Sequence, residues 1–233
     1  MKPITRRSLS NGSGVSANLA TQWAQRLRIP LDTGSVAGQD HWLKAGKGSA
    51  QAFEVGRLQK IPGLVQQWDP PTKRQDARGA QLFWVGQCSI PVEQQRVNLK
   101  VNKVLTLSRT DKQLRWKVTL THLGRKSVAL RFGSEWNLEC RDPHFNRVGS
   151  FDGLNRLSLT DAQEKFEMEL VGSKRMSGWF KPVETLSTTA RGQERSFKHL
   201  SFLFYWDLKL EGDQSWSAGL KWTPLKWVDD ATL

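Results

Sequence analysis

The sequence predicts an all-β protein, built as one large antiparallel β-sandwich. Three observations carry this: apolar and polar residues alternate with period two in many separate stretches, turn residues divide those stretches, and helical patterns do not alternate with them. The clearest stretch is 128–139. Val128, Leu130, Phe132, Trp136 and Leu138 share one parity, with Ser134 as a small polar member. Arg131, Glu135, Asn137 and Glu139 take the other. One face of this strand belongs in a core, and the other presents an arginine, two carboxylates and an amide.

The elements follow in chain order. Residues 1–30 are expected to be a basic flexible tail, because 1–15 are basic and then rich in Ser, Gly and Asn. A short helix is expected over 17–27, where Leu19, Trp23 and Leu27 recur at helical spacing, Ser16 can cap the start and Pro30 ends it. The sandwich is expected to span 31–233. Within it, Gly46, Gly48, Gly56 and Gly63 interrupt every period between 31 and 80, leaving a short edge strand over 51–58 and a proline-rich turn over 69–74.

From residue 81 the chain reads as strands. Leu82 to Val85 is a short apolar run. Val97, Leu99, Val101, Leu105 and Leu107 share a parity that Lys103 interrupts. A hairpin turn at 110–112 leads to Leu114, Trp116, Val118 and Leu120, and a turn at 122–126 leads to the central strand. A polar loop over 141–153 precedes Phe166, Met168 and Leu170, then a strand over 179–187. Leu200 through Leu210 alternate, and Leu203 with Tyr205 make the second face apolar too, so that strand is expected to be covered on both sides. Trp216, Ala218, Leu220 and Trp222 close the series.

Composition bounds the function. The chain has 233 residues, 38% of them hydrophobic, which is enough for a real core. It uses 11 Trp against 1 Tyr. Large aromatics serve equally as core filling and as sugar-stacking platforms, so the count does not choose between them. The net charge of +13 is spread along the chain and reads first as a solvated basic surface. A basic face including Arg6, Arg7, Lys73, Arg74, Arg125 and Lys126 would instead suit a polyanion; nucleic acid is the less favoured partner. Cys88 and Cys140 are too few for a disulfide scaffold, and whether they pair is open. No apolar run approaches the roughly 20 residues of a membrane span, and no apolar core follows the N-terminal charges. A cytoplasmic protein without membrane contact is expected.

Two segments carry a family resemblance. Phe132-Gly133-Ser134-Glu135-Trp136-Asn137 resembles the Phe-Gly-x-Glu-Trp-Asn segment in the C-terminal β-domain of glycoside hydrolase family 57, the α-amylase and 4-α-glucanotransferase type enzymes. Trp179 to Ser187 resembles that domain's Trp-x-x-Pro-Val-Glu-Thr-Val-Ser. The resemblance runs from about Val97 to Pro224, in order and at similar spacing. It implies a sandwich of the galactose-mutarotase type. Past Ser187 the chain departs from the family pattern, with Glu194 the one acidic residue that can correspond.

The resemblance also implies a missing half. Family 57 enzymes draw their nucleophile and acid/base from an N-terminal (β/α) barrel, and nothing here resembles it. No catalytic residue, cofactor or metal is assigned: phosphate-binding loops, nucleophile elbows and metal-site spacings are absent, and His41, His122, His144 and His199 are scattered. A mutarotase-like site would need a histidine beside Glu135 or Glu184, and neither strand contains one near them. Sugar binding asks for an aromatic platform and fixed polar groups. Glu135, Asn137 and Glu184 supply the polar groups; Trp179, read as an edge residue beside Gly178, is the aromatic candidate and Trp222 the weaker one. The expected function is a non-catalytic carbohydrate-associated module that binds α-glucan or docks on a separate catalytic subunit. The alternatives are a basic polyanion-binding scaffold and a mutarotase-like enzyme.

Overall fold

The computed structural model describes residues 39–93, 95–189 and 192–226. The expected N-terminal helix and the boundary at residue 30 lie outside them. The described chain forms strands β1 (Gln39–Lys44), β2 (Val65–Trp68), β3 (Thr72–Asp76), β4 (Gly79–Val92), β5 (Gln95–Ser108), β6 (Leu114–His122), β7 (Val128–Leu138), β8 (Gly149–Asp161), β9 (Phe166–Thr189), β10 (Gly192–Leu210) and β11 (Ser215–Lys226). A five-residue helix, α1 (Ala50–Glu54), and a 3₁₀ turn at Pro143–Phe145 complete it.

All strands pair antiparallel in the order β1-β7-β10-β9-β11-β6-β5-β4-β2, with β3 on β4 and β8 on β9. β9 makes the sandwich. Its 167–172 portion pairs with β11 and its 177–189 portion with β10, so the sheet folds back along this one strand. The turn is tight at Gly172, where a Cβ would stand 2.7 Å from the Lys174 carbonyl oxygen. The two halves then face each other across a tryptophan core. Trp136 of β7 packs 4.4 Å from Trp222 of β11, and Trp206 of β10 packs 5.6 Å from Trp216. Trp116 of β6 touches both Trp136 and Trp206. Aromatic pairs of this kind add to the area each ring buries.

The core parity of 128–139 holds, since Val128, Leu130, Phe132, Ser134, Trp136 and Leu138 are all buried, but Arg131 and Gly133 on the other face are buried as well. The interruption at Lys103 is a real feature of the interior. Lys103 keeps the core parity of β5 and meets Asp40 of β1 at 2.5 Å, with its amine 5.1 Å from the Trp68 ring. Burial pushes the Asp40 carboxyl up and the Lys103 amine down, and their mutual attraction opposes both shifts. The pair ties β1 to β5 through the core. Cys88 is pushed up to about 12, by burial and then by the nearby Asp40 charge. Both cysteines are buried and are not joined to each other.

Three expectations are corrected. The edge strand at 51–58 is a helix turn instead: Ser49 accepts from the Ala52 amide and caps α1, and the glycines around it end the element within a turn and a half. The proline-rich segment at 69–74 turns directly into β3. The polar loop after residue 141 is short, because β8 already starts at Gly149 and edges β9.

Candidate functional site

The polar face of β7 points away from the tryptophan core, and the chain covers it. On one side, His41 of β1 donates to Glu135 Oε2 at 2.7 Å and Ser201 of β10 donates to Glu135 Oε1 at 2.7 Å. Burial pushes the Glu135 carboxyl up, but these two hydrogen bonds and the nearby His41 and Lys181 charges outweigh it and hold it below its ordinary range. On the other side, Arg131 grips Asp207 of β10 with two hydrogen bonds, at 2.9 and 2.7 Å. A third donor of Arg131 reaches the Lys47 carbonyl at 2.9 Å, and its guanidinium lies 4.1 Å over the Tyr205 ring. Asp207 also accepts from the Gly46 amide. The Arg131 hydrogen bond, against a smaller burial effect, holds the Asp207 carboxyl low.

Between these clusters lies a second small core of Leu43, Ala50, Phe53, Trp179 and Leu203. Gly48 (φ +114°) rests on Trp179 so closely that a Cβ would sit 2.3 Å from the ring. Lys181 donates to the Phe53 and Glu54 carbonyls at 3.1 Å each, satisfying the last turn of α1. Residues 44–57 therefore form a strap across the outer face of β7, β10 and β9. Arg131 of the strand face, with Asp207 and Lys181 of the neighbouring strands, holds it.

The five candidate sugar contacts do not converge. Glu135 and the half-buried Asn137 share the strapped face. Trp179 is not at an exposed edge. It is 3% exposed, because β9 runs straight through that position and Gly48 and Tyr205 close over the ring. Trp222 is 2% exposed inside the sandwich, against Trp136. Glu184 is exposed on the β9–β10 ribbon, paired opposite Phe197 beyond the end of β7, with Arg195 at 3.7 Å. A histidine does stand beside Glu135. Only the pairing of β1 with β7 brings His41 there, 94 positions away in sequence.

A different place on the molecule forms an open cleft. It lies on the outer face of the β9–β11–β6 half, at the bend of β9, with a volume of about 500 Å³. Arg115, Lys117, Ser173, Ser217, Gly219 and Lys221 are among its lining residues, and none of the lining residues is acidic. Arg115 and Lys221 are direct cross-strand partners, and Lys117 stands opposite Gly219. The Gly219 amide donates to Ser173 Oγ at 2.8 Å, which fixes the bend against β11. A Cβ at Gly219 would stand 3.0 Å from the Trp116 carbonyl oxygen. In sequence these cations look like any solvated strand face; only the register between β6 and β11 clusters them.

The family can now be tested against this geometry. The model of the C-terminal domain of α-amylase/4-α-glucanotransferase matches residues 36–220. The chain belongs to that family. Among solved structures it resembles the 4-α-glucanotransferase from Thermococcus litoralis, with a TM-score of 0.61 and 16% identity. The match covers 80% of this chain and 27% of that one, so the chain spans about a quarter of the enzyme's length. The galactose mutarotase related enzyme from Lactobacillus acidophilus is more distant, at a TM-score of 0.42 and 9% identity over 71% of this chain and 74% of that one. The Slr1438 protein from Synechocystis sp. PCC 6803 stands at 0.45 and 13%, over 67% and 65%. No curated protein matches the sequence. Among the described residues, no helix is long and apolar enough to cross a membrane.

Proposed function

We propose that this chain is a non-catalytic, carbohydrate-associated module that holds a glycan beside a separately folded catalytic unit. The open cleft at the β9 bend, on a domain of the α-amylase/4-α-glucanotransferase C-terminal family, carries this reading. Its volume suits a short run of sugar residues. Ser173 and Ser217 line it and can meet sugar hydroxyls. On the strapped face Glu135, Arg131 and Asp207 are already hydrogen-bonded within the chain. The test is affinity electrophoresis through gels containing soluble or acidic glycans, with Ser217→Trp to fill the cleft. Retardation by at least one glycan, lost in S217W, is the expected result. Free migration through every glycan overturns the reading.

One observation favours a second reading, a sugar-transforming enzyme: the 2.7 Å bond between His41 and Glu135. An acid and a base that act on opposite sides of a sugar ring must each face it, and these two face each other under the strap. Polarimetry decides the matter. Mutarotation of glucose or galactose faster than buffer, and slowed by His41→Asn, would replace the module with an enzyme.

A further inference from the structure

We infer that the cleft takes an anionic glycan, one carrying phosphate or carboxylate groups, with the acidic group seated among Arg115, Lys117 and Lys221; this rests on the carbohydrate reading above.

The first ground is the placement of charge. Like charges directly opposite on neighbouring strands repel, and Arg115 and Lys221 hold that relation, with Lys117 two pairs further along on the same face. Nearby on the β8–β9 pair the chain neutralises its cation: Arg156 meets Glu169 at 2.9 Å. At the cleft it does not. Among the described residues no carboxylate lies within ion-pair distance of Lys117 or Lys221. Arg115 donates twice to Gln113 Oε1, at 3.2 and 2.8 Å, and has a long contact of 3.5 Å to Asp111, so the cations left without a carboxylate are Lys117 and Lys221. A bound anion would relieve the repulsion.

The second ground is the lining. Ser173 and Ser217 line the cleft beside the cations, and their hydroxyls can meet a ligand's oxygens. The third is the lack of a stacking platform. A neutral ligand is gripped largely through hydrophobic and aromatic lining. Trp116 and Trp222, the large aromatics of β6 and β11 on either side, are turned into the core at 1% and 2% exposure. The polar groups left in the lining are hydroxyls and cations. The net charge of +13 would draw an acidic polymer towards the molecule as a whole.

The experiment is a set of binding titrations on the full chain. The probes are phosphorylated starch, polygalacturonate, neutral soluble starch and a duplex DNA. The acidic glycans are expected to bind about tenfold or more tightly than neutral starch, and to weaken as salt rises. The Lys117→Ala/Lys221→Ala double variant should lose about tenfold for the acidic glycans and keep its affinity for neutral starch. Phosphorylated starch and polygalacturonate in parallel show which acidic group is preferred. A Lys73→Ala/Arg125→Ala variant, changed at cations outside the cleft, should bind as the parent does, and circular dichroism checks the fold of each variant. Equal binding of acidic and neutral starch, or an unchanged double variant, overturns the inference while leaving a glycan module in place. Binding to no glycan removes that module reading as well. DNA bound as tightly as the acidic glycans, and lost in the same double variant, replaces the glycan with nucleic acid.

Discussion

The two outer faces of the sandwich treat charge in opposite ways. On the β1–β7–β10–β9 face, Glu135, Arg131, Asp207 and Lys181 all have partners within the chain, and the strap lies over them. On the β9–β11–β6 face, three cations line a cleft with two glycines, and among the described residues no segment is laid across them. A polar strand face is thus ambiguous by itself. Where each group has a partner and a covering segment, it is structure. Where like charges stand together in the open, it is available to a ligand. The residues that most resemble a binding motif here belong to the first kind.

The comparison can be broken most strongly at Trp179. If it anchors the strap, Trp179→Ala should cost about 3–5 kcal/mol of stability, as buried aromatics do, read as a lowered midpoint in denaturant. A binding tryptophan would show little change in stability. Arg131→Met, which removes the clamp to Asp207 and to the Lys47 carbonyl, is expected to cost about 2–3 kcal/mol. It should also speed amide hydrogen exchange in residues 44–57 before the rest of the sheet. Uniform exchange across the sandwich would mean that the strap is not a separate unit.

Acid should separate the faces more gently. Glu135 and Asp207 have folded-state pKa values below their ordinary 4.5 and 3.8. The native state therefore binds these protons less readily than the unfolded chain. Their stabilisation is whole above those ordinary values and is lost as pH falls through the depressed ones. Exchange in the strap should rise over that acidic window, and Asp207→Asn should flatten the rise. A strap whose protection is constant down to the unfolding pH would contradict the clamps. The smallest effect is expected at the cleft: Lys117→Ala/Lys221→Ala should change stability by less than about 0.5 kcal/mol, with relief of repulsion offsetting lost packing.

Much of this fold was legible in the sequence, because period two is a local signal. The core faces of β5, β6, β7 and β11 follow directly from alternation, and even Lys103 announced itself as an interruption. The strap was not legible. Its sequence is broken by glycines, and its partners at 131, 181 and 207 lie up to 161 positions away. Without the strap, Glu135 and Trp179 look exposed, so a clamp reads as a sugar site. The cleft was silent for a related reason. Arg115, Lys117 and Lys221 each alternate normally with core residues, and their clustering is a property of register, which no single strand contains.

One measurement tests the division of labour most directly. Affinity for phosphorylated starch and the denaturation midpoint would be determined for the parent, Trp179→Ala and Lys117→Ala/Lys221→Ala, at a temperature where all three are folded. The expected result is a crossed pattern: the tryptophan variant loses stability and keeps its affinity within about twofold, while the lysine variant loses about tenfold in affinity at an unchanged midpoint. A folded Trp179→Ala that no longer binds, beside a lysine variant that binds normally, would contradict it and return the ligand to the face of β7.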